Sequence, residues 1–234
     1  MSQQNVRGLF ITGTDTGVGK TYVTALIARA LASAGKCVGV YKPVASGCEL
    51  IDGNLVSDDA VTLWHAANRP GDLAKVCPQR FRAPLAPHLA ARAEGRSVDA
   101  ALLRSGLDAW LATSDIVLVE GAGGLMSPIS DEDYVADLAC DFGFPLLVVG
   151  RDALGTIHQT LTTLIAAATI DRGLDVAGII LNELPSSAGD PSIATNRAEL
   201  AARAVPPVLA KIGPHAQGFS DTVDWCQLAR PGRQ

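Results

Sequence analysis

The stretch that decides the fold is GLFITGTDTGVGKTYVTALIARALASA, residues 8–34. Its apolar run at 9–11 is short and flanked by glycine, which predicts a buried strand. From residue 22 to residue 34 apolar side chains recur at helical spacing, and Gly35 ends the predicted helix. The connection between strand and helix, residues 13–21, is rich in glycine and ends in Gly-Lys-Thr.

This context makes residues 13–21 a candidate phosphate-binding loop. Glycines let backbone N–H groups wrap an anion, and the N-terminus of the following helix adds a favourable dipole. Lys20 is expected to reach the β- and γ-phosphates, and the Thr21 hydroxyl to hold Mg²⁺. Five residues separate Gly13 from Gly19, one more than in the common form of this loop. The alternatives are a connection without a ligand and a dinucleotide-binding loop, which Tyr22 at the third glycine position disfavours.

The composition indicates a globular protein that has neither nucleic acid nor a membrane as its partner. Of 234 residues 48% are hydrophobic, and a net charge of −5 without a basic cluster argues against nucleic acid. No apolar stretch reaches transmembrane length, and residues 1–8 lack the pattern of a signal peptide. Five cysteines without C-x-x-C spacing and four scattered histidines favour reduced thiols in a cytoplasmic protein over disulfides or a zinc site.

Alternating strand and helix signals predict one α/β domain over residues 1–234. The expected architecture is a parallel, Rossmann-like sheet of the phosphate-loop NTPase type with helices on both faces. Further strands are predicted at 38–44, 116–119, 145–150, 176–182 and 208–212. Further helices are predicted at 60–67, 87–95, 98–112, 134–141, 156–171 and 193–204. Residues 48–57, 69–87 and 185–192 are predicted to be irregular, and the tail after Gly213 is uninformative.

Three residues close predicted strands, where open α/β sheets bind ligands. They are Lys42, Glu120 and Asn182. A carboxylate beside a phosphate loop suits a second Mg²⁺ contact, because Mg²⁺ takes few protein carboxylates together with phosphate oxygens. The alternative for Lys42 and Glu120 is a solvated side chain at a strand end. Asp58 and Asp59 precede a predicted helix, where an aspartate is more often an N-cap than a metal ligand.

Three segments in this order resemble those of the dethiobiotin synthetases. They are TGTDTGVGKT at 12–21, YKPVASG at 41–47 and VLVEGAGG at 117–124. The pairs Pro87-His88, Glu94-Gly95 and Leu154-Gly155 add to the similarity, as does Asn182. The resemblance runs from about residue 8 to residue 183, and that family also has the longer loop noted above.

The resemblance implies an ATP- and Mg²⁺-dependent ligase that forms dethiobiotin from 7,8-diaminononanoate and CO₂, a step of biotin biosynthesis. CO₂ is captured as a carbamate on one amine, and ATP phosphorylates the carbamate oxygen. The second amine then attacks the mixed anhydride, which closes the ring and expels phosphate. A homodimer is also implied, in which the partner subunit helps to bind the carboxylate of the diamine.

The same resemblance assigns roles to the residues that match the family's motifs. Lys42, Lys20 and Thr16 are the expected catalytic residues. Mg²⁺ is expected at Thr21, Asp59 and Glu120, with Asp59 preferred to Asp58 because it fits the family pattern better. The expected nucleotide contacts are Gly13, Thr14, Asp15, Thr16, Gly17, Val18, Gly19, Lys20, Thr21, Glu120, Gly121 and Asn182. The expected substrate contacts are Lys42, Ser46, Gly123, Gly155, Thr156 and His158.

Two positions depart from the family pattern. Gly17 stands where some relatives have glutamate, and His158-Gln159 stands where many have Asn-His.

Three other classes of protein are alternatives to a dethiobiotin synthetase. A partitioning ATPase usually carries an extra lysine early in the loop, which residues 14–16 lack. An amidation enzyme of the cobalamin type is expected to add a glutamine-hydrolysing domain, and Cys226 has no supporting motif. A non-catalytic nucleotide-binding module has no need of Lys42 and Glu120.

Overall fold

A seven-stranded sheet forms the centre of the computed structural model, which describes residues 6–171 and 173–232. Its strands are β1 (Arg7–Gly13), β2 (Val38–Tyr41), β7 (Ile116–Gly124), β8 (Leu146–Arg151), β9 (Val176–Asn182), β10 (Val208–Ile212) and β11 (Arg230–Pro231). Six of them run parallel in the order β10-β9-β8-β1-β7-β2, and β11 pairs antiparallel with β1. The expectations about a signal peptide and about a domain reaching residues 1 and 234 extend outside the described residues.

The central strands are buried because both faces of a parallel sheet are covered. Residues 9–11 of β1 and 117–119 of β7 have no exposed surface, which explains their unbroken apolar runs. From β1 the chain crosses to β2 on one side, and from β7 it passes β1 to reach β8 on the other. Since such crossovers are right-handed, this reversal places the helices on opposite faces and opens a ligand crevice beside the end of β1.

Ten helices lie in the described part of the chain. They are α1 (Lys20–Ser33), α2 (Asp58–Ala66), α3 (Leu73–Val76), α4 (Pro87–Ala93), α5 (Ala100–Ser105), α6 (Asp108–Leu111), α7 (Val135–Phe142), α8 (Thr156–Thr169), α9 (Asn196–Ala201) and α10 (Trp225–Leu228). Short 3₁₀ turns at Pro185–Ser187 and Pro191–Ala194 precede α9, so the segment 185–192 is not wholly irregular as predicted. The helix predicted at 193–204 is shorter than expected, because α9 spans only Asn196–Ala201.

Two segments predicted to be irregular form small sheets instead. Residues 48–57 contain the hairpin β4 (Glu49–Ile51) and β5 (Asn54–Val56), whose turn residues Asp52 and Gly53 have φ of 48° and 79°. An Asp-Gly turn of this kind favours a hairpin, so the sequence did carry the signal. The strand expected over 38–44 ends at Tyr41. Residues Val44–Ala45 form β3, which pairs with β6 (Gln79–Arg80) inside the proline-rich segment 69–87.

The helix predicted at 98–112 is wrong, because the chain there forms α5 and α6 with a break at Gly106. Tyr41 explains the break. Its hydroxyl donates to the carbonyls of Leu102 and Leu103 at 3.1 and 2.9 Å. A Cβ at Gly106 would stand only 2.3 Å from that hydroxyl oxygen. The tail after Gly213 is also ordered, since it forms α10 and closes on β1 through β11.

Arg104 joins α5 to the turn before α7, and this link makes stability depend on pH. Its guanidinium lies 2.8 Å from Asp133, which also accepts from the Ser130 hydroxyl at 2.7 Å. The hydrogen bond from Arg104 outweighs burial and lowers the pKa of Asp133. A carboxylate with a lowered folded-state pKa stabilises the fold above its unfolded pKa of about 3.9, and this contribution is lost as pH falls through the folded value.

We expect Asp133→Asn to lower the free energy of unfolding at pH 7 by about 1 kcal/mol, since one charge-assisted hydrogen bond is weakened. The deficit should shrink as pH falls below about 4. Urea unfolding at several pH values measures both effects. Asp131→Asn is the matched control, because the Arg92–Asp131 pair is more than half exposed on both sides and should contribute little. Equal losses for the two variants would contradict this account.

Candidate active site

The loop between β1 and α1 leaves backbone donors free for an anion. Gly17 and Gly19 have φ of 73° and 86°, a left-handed conformation that favours glycine. Gly19 precedes α1, and no side chain caps this helix end. Its first N–H groups therefore face the loop, as a phosphate-binding site requires. Asp15 is exposed, and its carboxylate accepts from the backbone N–H of Thr16 at 2.6 Å.

Lys20 is buried at the start of α1, and its ammonium lies within the loop. Nζ is 3.3 Å from the carbonyl oxygen of Asp15. Burial, and then repulsion from the nearby Lys42, lower the pKa of Lys20 to about 8. An added anion would raise this pKa, because its negative charge stabilises the buried ammonium.

The strand predicted at 116–119 extends to Gly124, so Glu120 lies within β7 and the expectation that it closes this strand is wrong. Parallel pairing nevertheless brings Glu120 and the end of β2 to this loop. Ile11 of β1 is in register with Glu120 of β7, and Val119 is in register with Tyr41 of β2. Lys42 follows Tyr41 directly, so Lys42 and Glu120 reach the same edge of the sheet. Both side chains are buried, and that of Glu120 has no exposed surface. The interpretation of these residues as solvated strand-end side chains is therefore wrong.

The ammonium of Lys42 lies between two carboxylates. Its Nζ is 2.6 Å from Oε1 of Glu120 and 2.8 Å from Oδ2 of Asp59. The Thr21 hydroxyl lies 2.8 Å from Glu120 Oε1 and 2.9 Å from Asp59 Oδ1. We call these four residues the acid–lysine cluster. It joins the phosphate-binding loop, β2, α2 and β7 at one point.

Charge pairing dominates the protonation of this cluster. Burial disfavours the charged form of Lys42, but the carboxylates of Glu120 and Asp59 outweigh burial and raise its pKa above the ordinary value. Burial likewise opposes ionisation of Asp59, but the charge and hydrogen bond of Lys42 hold the pKa of Asp59 below its ordinary value. Both residues are therefore ionised at neutral pH.

The N-cap of α2 is Ser57, whose hydroxyl accepts from Ala60 N–H at 3.3 Å. The interpretation of an aspartate as the N-cap is therefore wrong. Asp58 is exposed, whereas Asp59 lies one residue further along and reaches Lys42 and Thr21. With the cap supplied by Ser57, the Asp59 carboxylate is left for the cluster.

The donor set of the cluster consists of oxygen atoms. Oε2 of Glu120 is buried and has no hydrogen-bond partner in the described part of the chain. Two carboxylates and a hydroxyl are ligands that suit Mg²⁺, which takes its remaining ligands from water and phosphate. Within residues 6–171 and 173–232 no group of three or more His, Cys, Asp or Glu side chains could hold a metal by itself.

A cavity of about 160 Å³ opens beside the loop on the side of β9 and β10. It is lined by Gly19, Tyr22, Asn182, Glu183, Leu184, Pro185, Pro214 and His215. Asn182 is buried, and its amide donates to the carbonyl of Val18 at 2.9 Å. The Tyr22 hydroxyl donates to the carbonyl of Ala216 at 2.5 Å and so fixes the segment after β10 as one wall.

The residues expected to contact substrate fall into two groups. Gly123 and Thr16 are neighbours across the crevice, since a Cβ at Gly123 would lie 3.5 Å from the Thr16 hydroxyl. Ser46 is half-buried just after β3. Gly121, an expected nucleotide contact, is buried in β7.

Gly155, Thr156 and His158 belong to the start of α8 instead. Gly155 and His158 are exposed, whereas the hydroxyl of Thr156 is buried without a hydrogen-bond partner in the described residues. Among the residues that the structure describes, no hydrogen bond or ion pair joins Gly155, Thr156 or His158 to the acid–lysine cluster.

Comparison with known proteins places the chain in a family. A family model described as an AAA domain matches residues 7–217. An ATP-dependent dethiobiotin synthetase of Rhodopirellula baltica is 48% identical over 82% of this chain and 78% of its own length. One of Aromatoleum aromaticum is 35% identical over 97% of this chain and 98% of its own length. The chain belongs to the ATP-dependent dethiobiotin synthetase family. The resemblance seen in the sequence, and the prediction of an ATP-dependent ligase, are confirmed.

Solved structures show that the fold of this dethiobiotin synthetase family member is shared more widely. The signal recognition particle receptor FtsY of Elizabethkingia anophelis, in complex with GDP, aligns with a TM-score of 0.54 at 15% identity. The alignment covers 95% of this chain but only 62% of that chain. The MinC:MinD cell division protein complex of Aquifex aeolicus gives 0.52 at 16% identity over 89% of this chain and 81% of that chain. At such identities the likeness concerns the fold alone, and it confirms the predicted fold class.

Sequence reasoning missed most of the cavity wall. Tyr22 was assigned only to the helix, and Pro214 and His215 lie in the tail that gave no signal. A usable signal existed, because Pro214 follows β10 at the same edge of the sheet as Asn182.

None of the helices in the described part of this chain is both long and apolar enough to cross a membrane.

We expect Gly19→Ala to weaken ATP binding by at least about 100-fold, which corresponds to about 2.7 kcal/mol. A Cβ there would meet the Asn182 amide nitrogen at 2.2 Å, in addition to the strain of a left-handed alanine. Gly17→Ala is the matched control, because it shares that strain but has no atom within 4 Å of the added Cβ. Titration calorimetry with ATP should show a change within about fivefold for the control. Similar losses in both variants would mean that the Asn182 contact does not matter.

Proposed function

We propose that this protein is a dethiobiotin synthetase, which closes the ureido ring of dethiobiotin from 7,8-diaminononanoate and CO₂ with ATP. The reaction passes through a carbamate and a mixed carbamic-phosphoric anhydride, which the second amine opens with loss of phosphate. Family membership supports the substrate class. The acid–lysine cluster beside the phosphate-binding loop carries the proposal, because it gathers the charges that phosphoryl transfer requires.

ATP would lie with its phosphates in the loop at 13–21 and its base toward the cavity lined by Asn182 and Pro214. The free N–H groups at the start of α1 would bind the phosphates, and Lys20 would neutralise their charge. A flat base suits a cavity walled by Tyr22, Leu184 and the two prolines. Asn182 supports this placement, since its amide already fixes the loop through Val18.

Mg²⁺ would be held by Thr21, Asp59 and Glu120 together with phosphate oxygens. When bound, the ion supplies charge neutralisation at the transferred phosphoryl group. The fit rests on the oxygen-only donor set and on the buried Oε2 of Glu120, which has no hydrogen-bond partner in the described residues. The fully buried Glu120 holds its carboxylate in place through β7, so no loop motion is needed to form this ligand.

Lys42 would stabilise the negative charge shared by the carbamate and the γ-phosphate. A compact ammonium suits two acceptors on different molecules better than the wide, planar fork of arginine. Lys20 would assist from the loop, and Thr16 would contact the substrate opposite Gly123. Ser46, which follows Lys42 by four residues, would add a hydroxyl contact to the reacting end of the diamine.

The carboxylate end of the diamine would be bound by residues 155–158 of a second subunit. α8 supports a homodimer, because Leu154 before it and Ile165 within it are 86% and 64% exposed. The N-terminus of a helix suits a carboxylate, and Gly155 precedes it in the left-handed conformation with φ of 94°. His158-Gln159 would replace the Asn-His pair of many relatives in this contact.

We expect the purified protein to release ADP only when bicarbonate and 7,8-diaminononanoate are both present. Lys42→Gln should reduce this rate by about 100- to 1,000-fold while ATP still binds, since the loop is untouched. Lys36→Gln, at an exposed position after α1, is the control and should keep full activity. Diamine-independent ADP release of equal rate in the wild type would contradict a dethiobiotin synthetase.

Mixing two inactive variants tests the homodimer. One carries Lys42→Gln, and the other carries Thr156→Ala, His158→Ala and Gln159→Ala. Each mixed dimer would hold one site with both parts intact. Random subunit exchange should therefore restore about a quarter of wild-type activity. No recovery after exchange has been verified by mass spectrometry would mean that each chain binds its substrate alone.

A further inference from the structure

Lys42 already contacts both carboxylates of the proposed metal site. Its Nζ donates to Glu120 Oε1 at 2.6 Å and lies 2.8 Å from Asp59 Oδ2. Thr21, the third proposed ligand, shares Glu120 Oε1 with this ammonium. All three proposed ligands therefore belong to one set of contacts with a positive charge at its centre, and Glu120 Oε2 is the carboxylate oxygen without a hydrogen-bond partner in the described residues.

An ammonium in this position and a divalent ion exclude one another. Mg²⁺ binds oxygen at about 2.0–2.1 Å, so an ion on either of the two oxygens that Lys42 contacts, Glu120 Oε1 or Asp59 Oδ2, would come within about 5 Å of Nζ. The side chain of Lys42 is only 6% exposed and that of Glu120 is fully buried, so solvent screens the repulsion poorly on the Glu120 side, whereas the side chain of Asp59 is 46% exposed. Two carboxylates also cannot balance three positive charges.

We infer that Lys42 is the resident cation of the Asp59–Glu120 pair and leaves it only when a metal ion arrives together with a nucleoside triphosphate. This inference rests on the metal and nucleotide sites of the proposed function. The phosphates bring the negative charge that accepts the ammonium while the metal takes over the carboxylates. Lys42 thus has a resting position on the acid pair and a working position at the transferable phosphate.

The backbone around Lys42 restricts this change to its side chain. Its N–H donates to the carbonyl of Val76 at 2.7 Å, and Pro43 fixes the next φ. Tyr41 before it is fully buried and bonded to α5. Rotation about the side-chain bonds of Lys42 is therefore the available motion, and it transfers one charge without moving the sheet.

A consequence is that the free protein resists divalent ions. Metal binding without nucleotide would leave the ammonium unpaired in a buried place, which is costly. The lysine that assists phosphoryl transfer is released only in a loaded site. The requirement that metal ion and nucleotide bind together therefore follows from the contact of Lys42 with the two carboxylates, and no separate lid is needed.

Titration with Mn²⁺, with free ion measured by electron paramagnetic resonance and no nucleotide present, tests the inference. Wild-type protein should show no tight site. Lys42→Met keeps the length of the side chain but removes the charge, and it should bind one Mn²⁺ at least tenfold more tightly than the wild type. Circular dichroism and melting temperature check that the variant is folded.

Second substitutions in the Lys42→Met background locate the gained site. Adding Asp59→Asn should abolish the gain, whereas adding Asp58→Asn, the exposed neighbour, should preserve it. A gain that survives Asp59→Asn, or no gain in Lys42→Met, overturns the inference. The wild-type titration also stands alone if Lys42→Met does not fold, since a tight Mn²⁺ site in the free wild type overturns the inference too.

These measurements use neither diamine nor turnover, so they are separable from the test of the proposed function. Diamine-independent ADP release together with a Mn²⁺ gain in Lys42→Met would reject dethiobiotin synthesis and retain the inference about Lys42. Normal diamine-dependent activity without the gain would reject only the inference.

Discussion

The contact between Lys42 and Glu120 is the interaction on which the site depends. A carboxylate without exposed surface is very costly unless a positive charge meets it, and Lys42 does so at 2.6 Å. Buried ion pairs add little net stability compared with apolar side chains of similar volume. Removing one partner is nevertheless destabilising, because it leaves the other charge buried without compensation. The pair therefore holds the end of β2 beside Glu120 of β7, and its role is to place two charges at the site and not to stabilise the fold.

The elements that the sequence predicted well are those whose side chains are buried on both faces. The strand expected at 176–182 matches β9, because an unbroken apolar run has few other places in an α/β fold. The strand expected at 208–212 matches β10 as well, although β10 is an edge strand that contains the half-buried Lys211. The three polar residues Lys42, Glu120 and Asn182 could be anticipated as site residues for a different reason. In a parallel sheet the carboxyl ends of all strands lie at one edge. A polar residue that follows an apolar run can therefore be placed near the phosphate-binding loop even when the structure of the other connections is unknown.

The elements that could not be predicted depend on partners distant in sequence. The break between α5 and α6 requires Tyr41 above Gly106, 65 positions away by their residue numbers. β11 exists through its pairing with β1. Local sequence carries no record of these contacts. The ambiguity at Asp58 and Asp59 is of the same kind, because only the position of Lys42 shows which carboxylate is needed.

A phosphate-binding loop explains only part of this site. Proteins related by fold alone, such as the FtsY and MinD structures, align with this chain at 15–16% identity. These proteins are similar to this chain in fold, and that similarity does not show which side chains lie at the ends of the strands. In this chain β2 delivers an ammonium and β7 a carboxylate to one point, and α2 adds a second carboxylate because Ser57 already caps the helix. Under the proposed function, the convergence of such groups beside the loop would turn a phosphate-binding loop into a centre for phosphoryl transfer. The proposed chemistry would then depend less on Gly-Lys-Thr than on three residues far apart in the chain, Lys42, Asp59 and Glu120.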